Sequence, residues 1–473
     1  MEENQIQIGG RIRRLRRQKR ITQQDLAGHL GISPSYLNLI EHNRRSVTVP
    51  ILFSLAGYFG VEPGDLAESD DQRLTGDLME MFGDDLFADT DVTNFDIKEF
   101  ARSQPGVARA VLRLFDSHSR QLAEAAQGAR DEDGDGAGPV PFHRATDLIS
   151  DFLQEHANHF PTLEEAAERV RADIDNAADS FEAGLRTYLI NVFGMDWRFA
   201  SLPHGVARRL SRDGRMLELS ELLSQESALF SVSQHIAGLV AAKEIEALIG
   251  NGPLSEGDAP ALAHNVFASY FAAALMMPYP AFLKACKETR YDVDRLSRRF
   301  GTSFEQVCHR MTTLQRPGAQ GIPFHLIRTD IAGNISKRFS LSGIHIPRHA
   351  GACPRWNVYL AFLQPGRINT QISRMPNGDT FFCIARSFEK GGHRYNAPRR
   401  HFSIGLGCDV AHARELVYAD GVDLSENGQI TPVGVSCRIC PRLECDQRAH
   451  PPADHRFHLE DETRAESLYA RIG

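Results

Sequence analysis

Three of the chain's eight cysteines lie within nine residues, in GVSCRICPRLECDQRAHPP at 434–452. The spacing Cys437-x2-Cys440-x4-Cys445 directs three thiolates at one soft metal ion or cluster. A tetrahedral or cubane site wants a fourth ligand. Cys408 is the leading candidate, Cys353 the alternative and Cys383 a distant third, while His450 and His455 could stand in for a cysteine. Structural zinc prefers paired CxxC knuckles, and this segment has one. Proline directly after Cys440 is a feature of cluster-binding loops. Spacing therefore leaves zinc and iron–sulfur both open.

The compartment bears on this chemistry. The N-terminus, MEENQIQIGGRIRRLRRQ, has basic residues but no apolar core, so it does not read as a signal peptide. No apolar run reaches the ~18–20 residues of a membrane span. We therefore expect a cytoplasmic protein without a membrane partner. In a reducing cytosol clustered cysteines bind metal or react, whereas isolated ones such as Cys286 and Cys308 are usually small buried apolar residues.

A second chemistry sits at the other end. The 473-residue chain carries a net charge of −8, but residues 1–60 hold nine Lys/Arg against four Asp/Glu, a local +5. A basic end on an acidic body is the pattern of a DNA-reading head on a larger protein. Within it, TQQDLAGHLGISPSYLNLIEHNRR from Thr22 reads as two helices around a tight turn. Thr22 caps the first, Leu26, Ala27 and Leu30 form its apolar stripe, and Gly31 ends it. Ser33 caps the second, Pro34 fits its first turn, and Leu37 and Ile40 bury. This helix-turn-helix resembles the xenobiotic-response-element, phage-repressor-like class over roughly residues 8–66. The resemblance implies that the N-terminal half of the second of these helices enters the major groove. It gives base-edge roles to Gln23, Ser33, Ser35 and Asn38, with Tyr36 as a thymine-methyl contact, and puts Arg11, Arg16, Arg44 and Arg45 on phosphates. One head reads half a site, so a homodimer on a double-stranded operator is expected.

Residues 62–96 contain twelve acids and one base, Arg73, and read as a solvated connector. Residues 97–126 read as helix, with Val107, Val111, Leu114 and Phe115 on one side, suited to a dimerisation or hinge role. QGARDEDGDGAGPVP at 127–141 has almost nothing to bury and reads as a linker. From Phe142 the pattern is mainly helical, with apolar residues at helical spacing over 227–249 and 261–282. This pair resembles the core helices of the IrrE-like metallopeptidase fold. The second motif is clear in His264-Asn265-x-Phe267-Ala268 and Ala273-Ala274-Leu275-Met276-Met277-Pro278. The first is broken. HExxH needs two imidazoles at i and i+4 with a glutamate between them, and here Gln234 and Gly238 fill the His positions and His235 the Glu position. No catalytic residues are expected, and the chain is not read as an enzyme. Phe267, Tyr270, Phe271, Met276 and Met277 would line any pocket that outlived the lost metal.

Beyond residue 291 apolar alternation over Phe324–Arg328 and Ile344–Ile346 reads as strand. Glu305 lies in the first turn of a helix opened by Gly301-Thr302-Ser303. The order of parts, with SFEQVCHR and TTLQRPGA at 303–319, GNISKRFS at 333–340, CPRWN at 353–357 and the cysteine tail, is similar to the short-chain fatty acyl transcriptional regulator family. Within it, the regulators of propionyl-CoA carboxylation and the methylcitrate cycle are most alike. The resemblance implies DNA affinity set by a short-chain acyl-CoA, and a [4Fe-4S] cluster on the C-terminal segment, with zinc as the alternative. Arg438, Arg442 and Arg448 would offset a cluster's negative charge. An acyl-CoA site needs cations for phosphate and an apolar slot for the acyl group. Arg316, Lys337, Arg338 and Arg355 are candidates for the first, and Tyr270, Phe271, Phe324 and Trp356 for the second.

The expected architecture is mainly α and multidomain. Residues 1–68 form the helix-turn-helix head and 69–141 an acidic and helical connector. Residues 142–290 form a degenerate IrrE-like α+β ligand-sensing domain, and 291–473 a cysteine-bearing α+β sensing domain.

Overall fold

Thr22 opens the first helix of the head, α1 (Gln23–Leu30), through a reciprocal capping box with Asp25. Gly31 closes it at φ +67°, a left-handed position that suits glycine. The second helix, α2 (Pro34–Glu41), and a third, α3 (Val49–Phe59), complete a small core of Ile12, Leu26, Ala27, Leu37, Ile40, Leu55, Ala56 and Phe59. One ion pair sits beneath it. Arg16 Nε and a terminal nitrogen donate to the two carboxylate oxygens of buried Glu41 at 2.7 and 3.0 Å. Arg16 is thus committed to the head's interior, not to a phosphate.

The computed structural model describes residues 12–13, 16, 19, 21–41, 45, 47–59, 70–87, 90, 92–115, 117–118, 141–250, 252–255, 257–348, 352–391, 398–426 and 428–451. Arg11, Arg44, His455 and nearly all of the 127–141 linker lie outside these residues. The chain divides into two compact units: residues 1–81 with 92–114, and 82–91 with 115–473.

The acid-rich stretch read as connector contains a helix, α4 (Asp70–Phe82). Leu74, Leu78 and Met81 recur at helical spacing and are buried, while Asp77 and Glu80 between them are half-buried. A fifth helix, α5 (Asn94–Ser103), has its own Thr93–Asp96 capping box and stops before Pro105. Helix resumes over 105–115, where Val107 and Leu114 are exposed.

In the larger unit, α6 (Pro141–Glu155), α7 (Pro161–Ala177) and α8 (Phe181–Phe193) lead into three short strands. These are β1 (Asp196–Ala200), β2 (Arg208–Leu210) and β3 (Met216–Ser220), in the order β1-β3-β2, the sheet of the expected α+β domain, whose strands the mainly helical pattern had not located. Helices α9 (Gln225–Val240), α10 (Ala242–Ile249) and α11 (Ala259–Met276) pack with α7 over one core that includes Phe160, Trp197, Val232, Phe267 and Phe271. The α7–α8 approach is so close that a Cβ at Gly184 would meet the Ile174 carbonyl oxygen at 2.4 Å.

Helices α12 (Tyr279–Thr289), α13 (Val293–Phe300) and α14 (Phe304–Met311) then lie on a six-stranded sheet, order β5-β4-β8-β7-β6-β9. Its strands are β4 (His325–Asp330), β5 (Ile335–Ser340), β6 (Asn369–Arg374), β7 (Thr380–Lys390), β8 (Arg400–Asp409) and β9 (Ile430–Pro432). Only the β6–β9 pairing is parallel. Strand alternation gives two faces. Leu326, Ile404, Leu406, Ile384 and Ile372 face α12–α14. Ile327, Phe381, Cys383 and Ala385 face the opposite core, with Val358 and Trp356 beside the short helix α15 (Asn357–Leu360). Ile344–Ile346 is not a strand. Both isoleucines are buried, but the segment runs alongside as irregular chain, with the Ile344 carbonyl accepting from Ser340 Oγ.

The helical half and the sheet half are joined by charge. Arg310 on α14, with no exposed surface, donates to both oxygens of Glu164 on α7 at 2.6 and 2.8 Å. Tyr270 Oη adds a third bond to Glu164, and the Met277 carbonyl accepts from Arg310 Nε. Burial opposes both charges, yet the pair holds the Glu164 carboxyl below its ordinary value and the Arg310 guanidinium above its own. Removing one partner of such a pair strands the other. Arg310→Met should lower unfolding free energy by about 3–5 kcal/mol in urea titrations. The double variant with Glu164→Leu should be less damaged than Arg310→Met alone.

Candidate functional site

Strand β9 turns outward after Pro432, and the segment that follows carries the clustered cysteines across the second face of the sheet. Cys437, Cys440 and Cys445 line one small cleft, and the fourth cysteine in it is Cys353. Cys353 is placed there by its own amide, which donates to Val435 O at 2.8 Å, and by Trp356 Nε1, which donates to Gly434 O at 3.0 Å. Cys408, ahead of Cys353 on spacing, lies elsewhere. It is fully buried on β8 opposite Phe382, in the core under α12–α14, and burial pushes its thiol well up. Cys383 faces the Cys353 side of the sheet but meets His325, at 3.5 Å from Nε2. Burial drives that His325 down to about 3, so it is neutral at physiological pH.

The cleft is shaped by arginine. Arg448 donates to the carbonyls of Cys437, Cys440 and Arg442 at 2.6, 2.7 and 2.7 Å. Arg442 donates to Val433 O and Arg374 O at 3.2 and 3.1 Å, and Arg438 to Gly83 O at 3.3 Å. These cations thus fold the cysteine loop as well as charging it. Three of the four sulfurs also face backbone amides. Ala449 N–H approaches Cys437 Sγ at 3.4 Å, Gly434 and Arg355 amides face Cys353, and the Arg442 amide faces Cys440. Burial raises both the Cys353 and Cys440 thiols, and these amides oppose it. Gly434 is required here, since a Cβ would stand 2.7 Å from Cys440 Sγ. Among the described residues, no group of three or more His, Cys, Asp or Glu side chains is arranged to hold a single metal ion.

On the head, Ser33, Ser35 and Asn38 are exposed around the start of α2, and Ser33 Oγ accepts from the Tyr36 amide at 3.1 Å. Gln23 is held from behind, its Nε2 donating to Glu41 at 2.7 Å and to Asn38 Oδ1 at 3.3 Å. Arg45 is exposed nearby in sequence. Sequence reasoning missed Glu41, whose buried carboxylate ties Arg16 to Gln23. Burial alone would raise Glu41, but the bonds from Arg16 and Gln23 hold it below its ordinary value.

The residues named for an acyl-CoA do not converge. Tyr270, Phe271 and Phe324 are core. Trp356 is buried under the cysteine loop, and Arg355 lines the cleft there. Arg316 lies over Tyr279 and pairs with Glu168 at 2.7 Å, and Arg338 pairs with Asp147 at 2.6 Å. Met276 and Met277 are core as well. At the broken metallopeptidase motif, Gln234 Nε2 bonds Ser269 Oγ at 2.7 Å. His235 is lowered first by burial and then by Arg208, and its Nε2 is buried without a partner.

Lys337 alone enters a charged group. It lies 3.7 Å from Glu305 and 3.2 Å from His309 Nε2, and Arg328 and Lys390 also bond Glu305. Burial would raise the Glu305 carboxyl, but Lys337, His309 and Lys390 hold it down to about 2.

A helix-turn-helix head, a peptidase-type fold without its metal motif and a cysteine cleft on a separate sheet together form the architecture of a transcription regulator. Profiles of three families match: Helix-turn-helix over 12–66, IrrE N-terminal-like domain over 190–312, and Short-chain fatty acyl coenzyme A regulator, C-terminal over 313–469. The chain is 36% identical over 466 residues to the HTH-type transcriptional regulator RamB of Mycobacterium tuberculosis, covering 98% of each. It is 37% identical to the propionyl-CoA carboxylase regulator of Cereibacter sphaeroides, covering 97% of each, and 35% identical to PrpR of M. tuberculosis, covering 97% of this chain and 94% of that one. A solved Mycobacterium tuberculosis transcriptional regulator superposes with a TM-score of 0.66 at 36% identity, over 70% of this chain and all of that one. The chain belongs to the short-chain fatty acyl coenzyme A regulator family. It is a helix-turn-helix transcriptional regulator.

The Glu305 shift implies a pH dependence. A carboxyl at about 2 when folded and ~4.3 when unfolded contributes stability that is complete above the unfolded value and lost as pH falls toward 2. Each unit is worth about 1.4 kcal/mol, so the contribution is about 3 kcal/mol. Glu305→Gln should flatten the fall in urea stability between pH 4.5 and 2.5 that the wild type shows.

Proposed function

We propose that the chain binds a double-stranded operator as a homodimer, with DNA affinity set by a short-chain acyl-CoA and by a cysteine-held [4Fe-4S] cluster. What carries the reading is that one chain joins an exposed helix-turn-helix edge to the C-terminal sequence pattern of acyl-CoA regulators. Ser33, Ser35, Asn38, Gln23 and Tyr36 would read base edges, and Arg44 and Arg45 would take phosphates.

The cleft fits a cluster by its own chemistry. It gathers four thiols around one cleft, faces three of them with amide donors, and leaves Arg448 Nε buried and unpartnered beside them. Cys353, Cys437, Cys440 and Cys445 would hold the group, and Cys353 takes the fourth place in preference to Cys408 because it alone shares the cleft. Bound there, a cluster supplies a one-electron couple tuned by those hydrogen bonds. Zinc on the same thiols is the second reading.

The output has a route in covalent topology. Residues 82–91 belong to the larger unit, yet the chain runs from both their ends into the DNA-binding unit. Arg438, between two of the cysteines, donates to Gly83 in that segment. A change in the cysteine loop therefore acts on a strap that continues into the head.

An anaerobic wild-type preparation should be brown, with absorbance near ~400 nm from thiolate-held iron. Cys353→Ser should lose that band and Cys408→Ala should keep it. Colourless protein with stoichiometric zinc would replace the cluster by the second reading. Saturating propionyl-CoA should change operator affinity about tenfold, a coupling of about 1.4 kcal/mol; an unchanged affinity sinks the acyl-CoA input.

A further inference from the structure

We propose that Arg328, Lys337 and Lys390, grouped around Glu305 with Phe388 and Phe402 beside them, form a binding site for a phosphorylated nucleoside. The residues converge because the sheet places them. Arg328 on β4 is opposite Lys337 on β5, Phe388 on β7 is opposite Phe402 on β8, and Lys390 is opposite Arg400. Alternation puts all of them on the face that α14 covers, at the end of the sheet where Glu305 opens that helix.

The charge does not balance. Arg328 bonds Glu305 at 2.7 Å, Lys390 is also bonded to it, and Lys337 is 3.7 Å away. Three cations thus share one carboxylate, and that carboxylate is 9% exposed. The nearby acids are engaged elsewhere: Asp294 with Arg386 at 2.7 Å, and Asp330 with the amides of its own turn at 2.9–3.0 Å. A surplus of two positive charges around a buried anion is what a phosphate needs from a protein. The cations are also reachable, with Lys337 45% and Lys390 42% exposed.

The aromatic pair specifies more than phosphate. Phe388 and Phe402 lie 6.1 Å apart and tilted, with Lys390 5.7 Å from the first ring and Arg328 4.9 Å from the second. Both rings are partly exposed. A flat base can lie against such rings while its phosphates meet the cations. The nucleoside could come from the acyl-CoA itself, whose 3′-phospho-ADP portion has this chemistry, or from a free nucleotide. The first source rests on the acyl-CoA reading above, and the second does not.

Calorimetric titration of the full chain separates these cases. The probes are propionyl-CoA, 3′-dephospho-propionyl-CoA, adenosine 3′,5′-bisphosphate and pantetheine, each against wild type, Lys337→Gln, Lys390→Gln and Phe402→Leu. Thermal melts show that each variant is folded, and Lys284→Gln, at an exposed position of α12 outside the group, serves as the charge control. The expected result is that the bisphosphate and propionyl-CoA each bind at least tenfold more weakly to Lys337→Gln and Lys390→Gln, with pantetheine binding unchanged by any substitution. Loss of affinity on removing the 3′-phosphate would assign that group to these cations. Bisphosphate binding that needs the lysines, with no propionyl-CoA binding, leaves this site standing and removes the acyl-CoA reading. Propionyl-CoA binding that none of the three substitutions alters overturns this site and leaves that reading intact. Absence of bisphosphate binding to folded wild type overturns the site as well.

Discussion

The buried pair of Glu164 and Arg310 is the constraint on which the larger unit depends. Two charges have been removed from water, and only their bidentate geometry and the added bonds from Tyr270 and to the Met277 carbonyl offset that cost. Those bonds tie α7, α11 and α14 together at one point. Because α14 lies on the six-stranded sheet and α7 in the peptidase-type core, the two halves cannot shift without exposing an unpaired charge. Weaker ties repeat the pattern along the seam: Arg338 with Asp147, Arg348 with Asp151, and Gln154 with Ser340. Burial of an ion pair adds little net stability, but it penalises alternative packings heavily, which suits a scaffold that must keep register between two sheets.

Within that scaffold the six-stranded sheet separates two chemistries by its pleat. Residues one apart on the same strand point to opposite sides. On β4, Ile327 faces the core beneath Cys353 while Arg328 faces Glu305. On β8 Gly407 is pinned between His325 and Cys383, where a Cβ would meet the imidazole at 2.5 Å, while Cys408 beside it points into the helices. This explains why Cys408 is excluded from the cysteine cleft. It sits on the wrong face of its strand, and no side-chain rotation carries a sulfur through a sheet.

That exclusion marks what spacing can reveal. The head was legible almost completely, because its caps, its Gly31 turn and its apolar stripe are local and each has one reading. Cys437, Cys440 and Cys445 were legible for the same reason, lying within one loop. The fourth cysteine was not, since Cys353 precedes the others by over eighty residues and reaches them only through sheet order and an amide bond to Val435. The acyl-CoA candidates were chosen by residue type alone. Type does not distinguish an arginine answering a carboxylate, as Arg316 and Arg338 do, from one left in surplus. Helix α4 was misread because twelve acids masked Leu74, Leu78 and Met81, although the helical period of those three was present.

A ligand shifts a regulator only through different affinities for two states, so the proposed acyl-CoA and cluster inputs require some part of the molecule to have two arrangements of similar energy. The seam held by Glu164 and Arg310 is a poor place for them. The cysteine loop is a better one. Its fold rests on arginine bonds to main-chain carbonyls, three of them from Arg448 alone, and not on a large apolar core. Such bonds are directional and each is worth roughly 1–3 kcal/mol with a charged donor, so ordering or releasing the loop is a change of a few kilocalories. Arg438 then couples that order to Gly83, in the one segment of the larger unit whose two ends both continue into the DNA-binding unit. On the proposed reading the rigid seam and the loop are complementary: the first gives the second something fixed to move against.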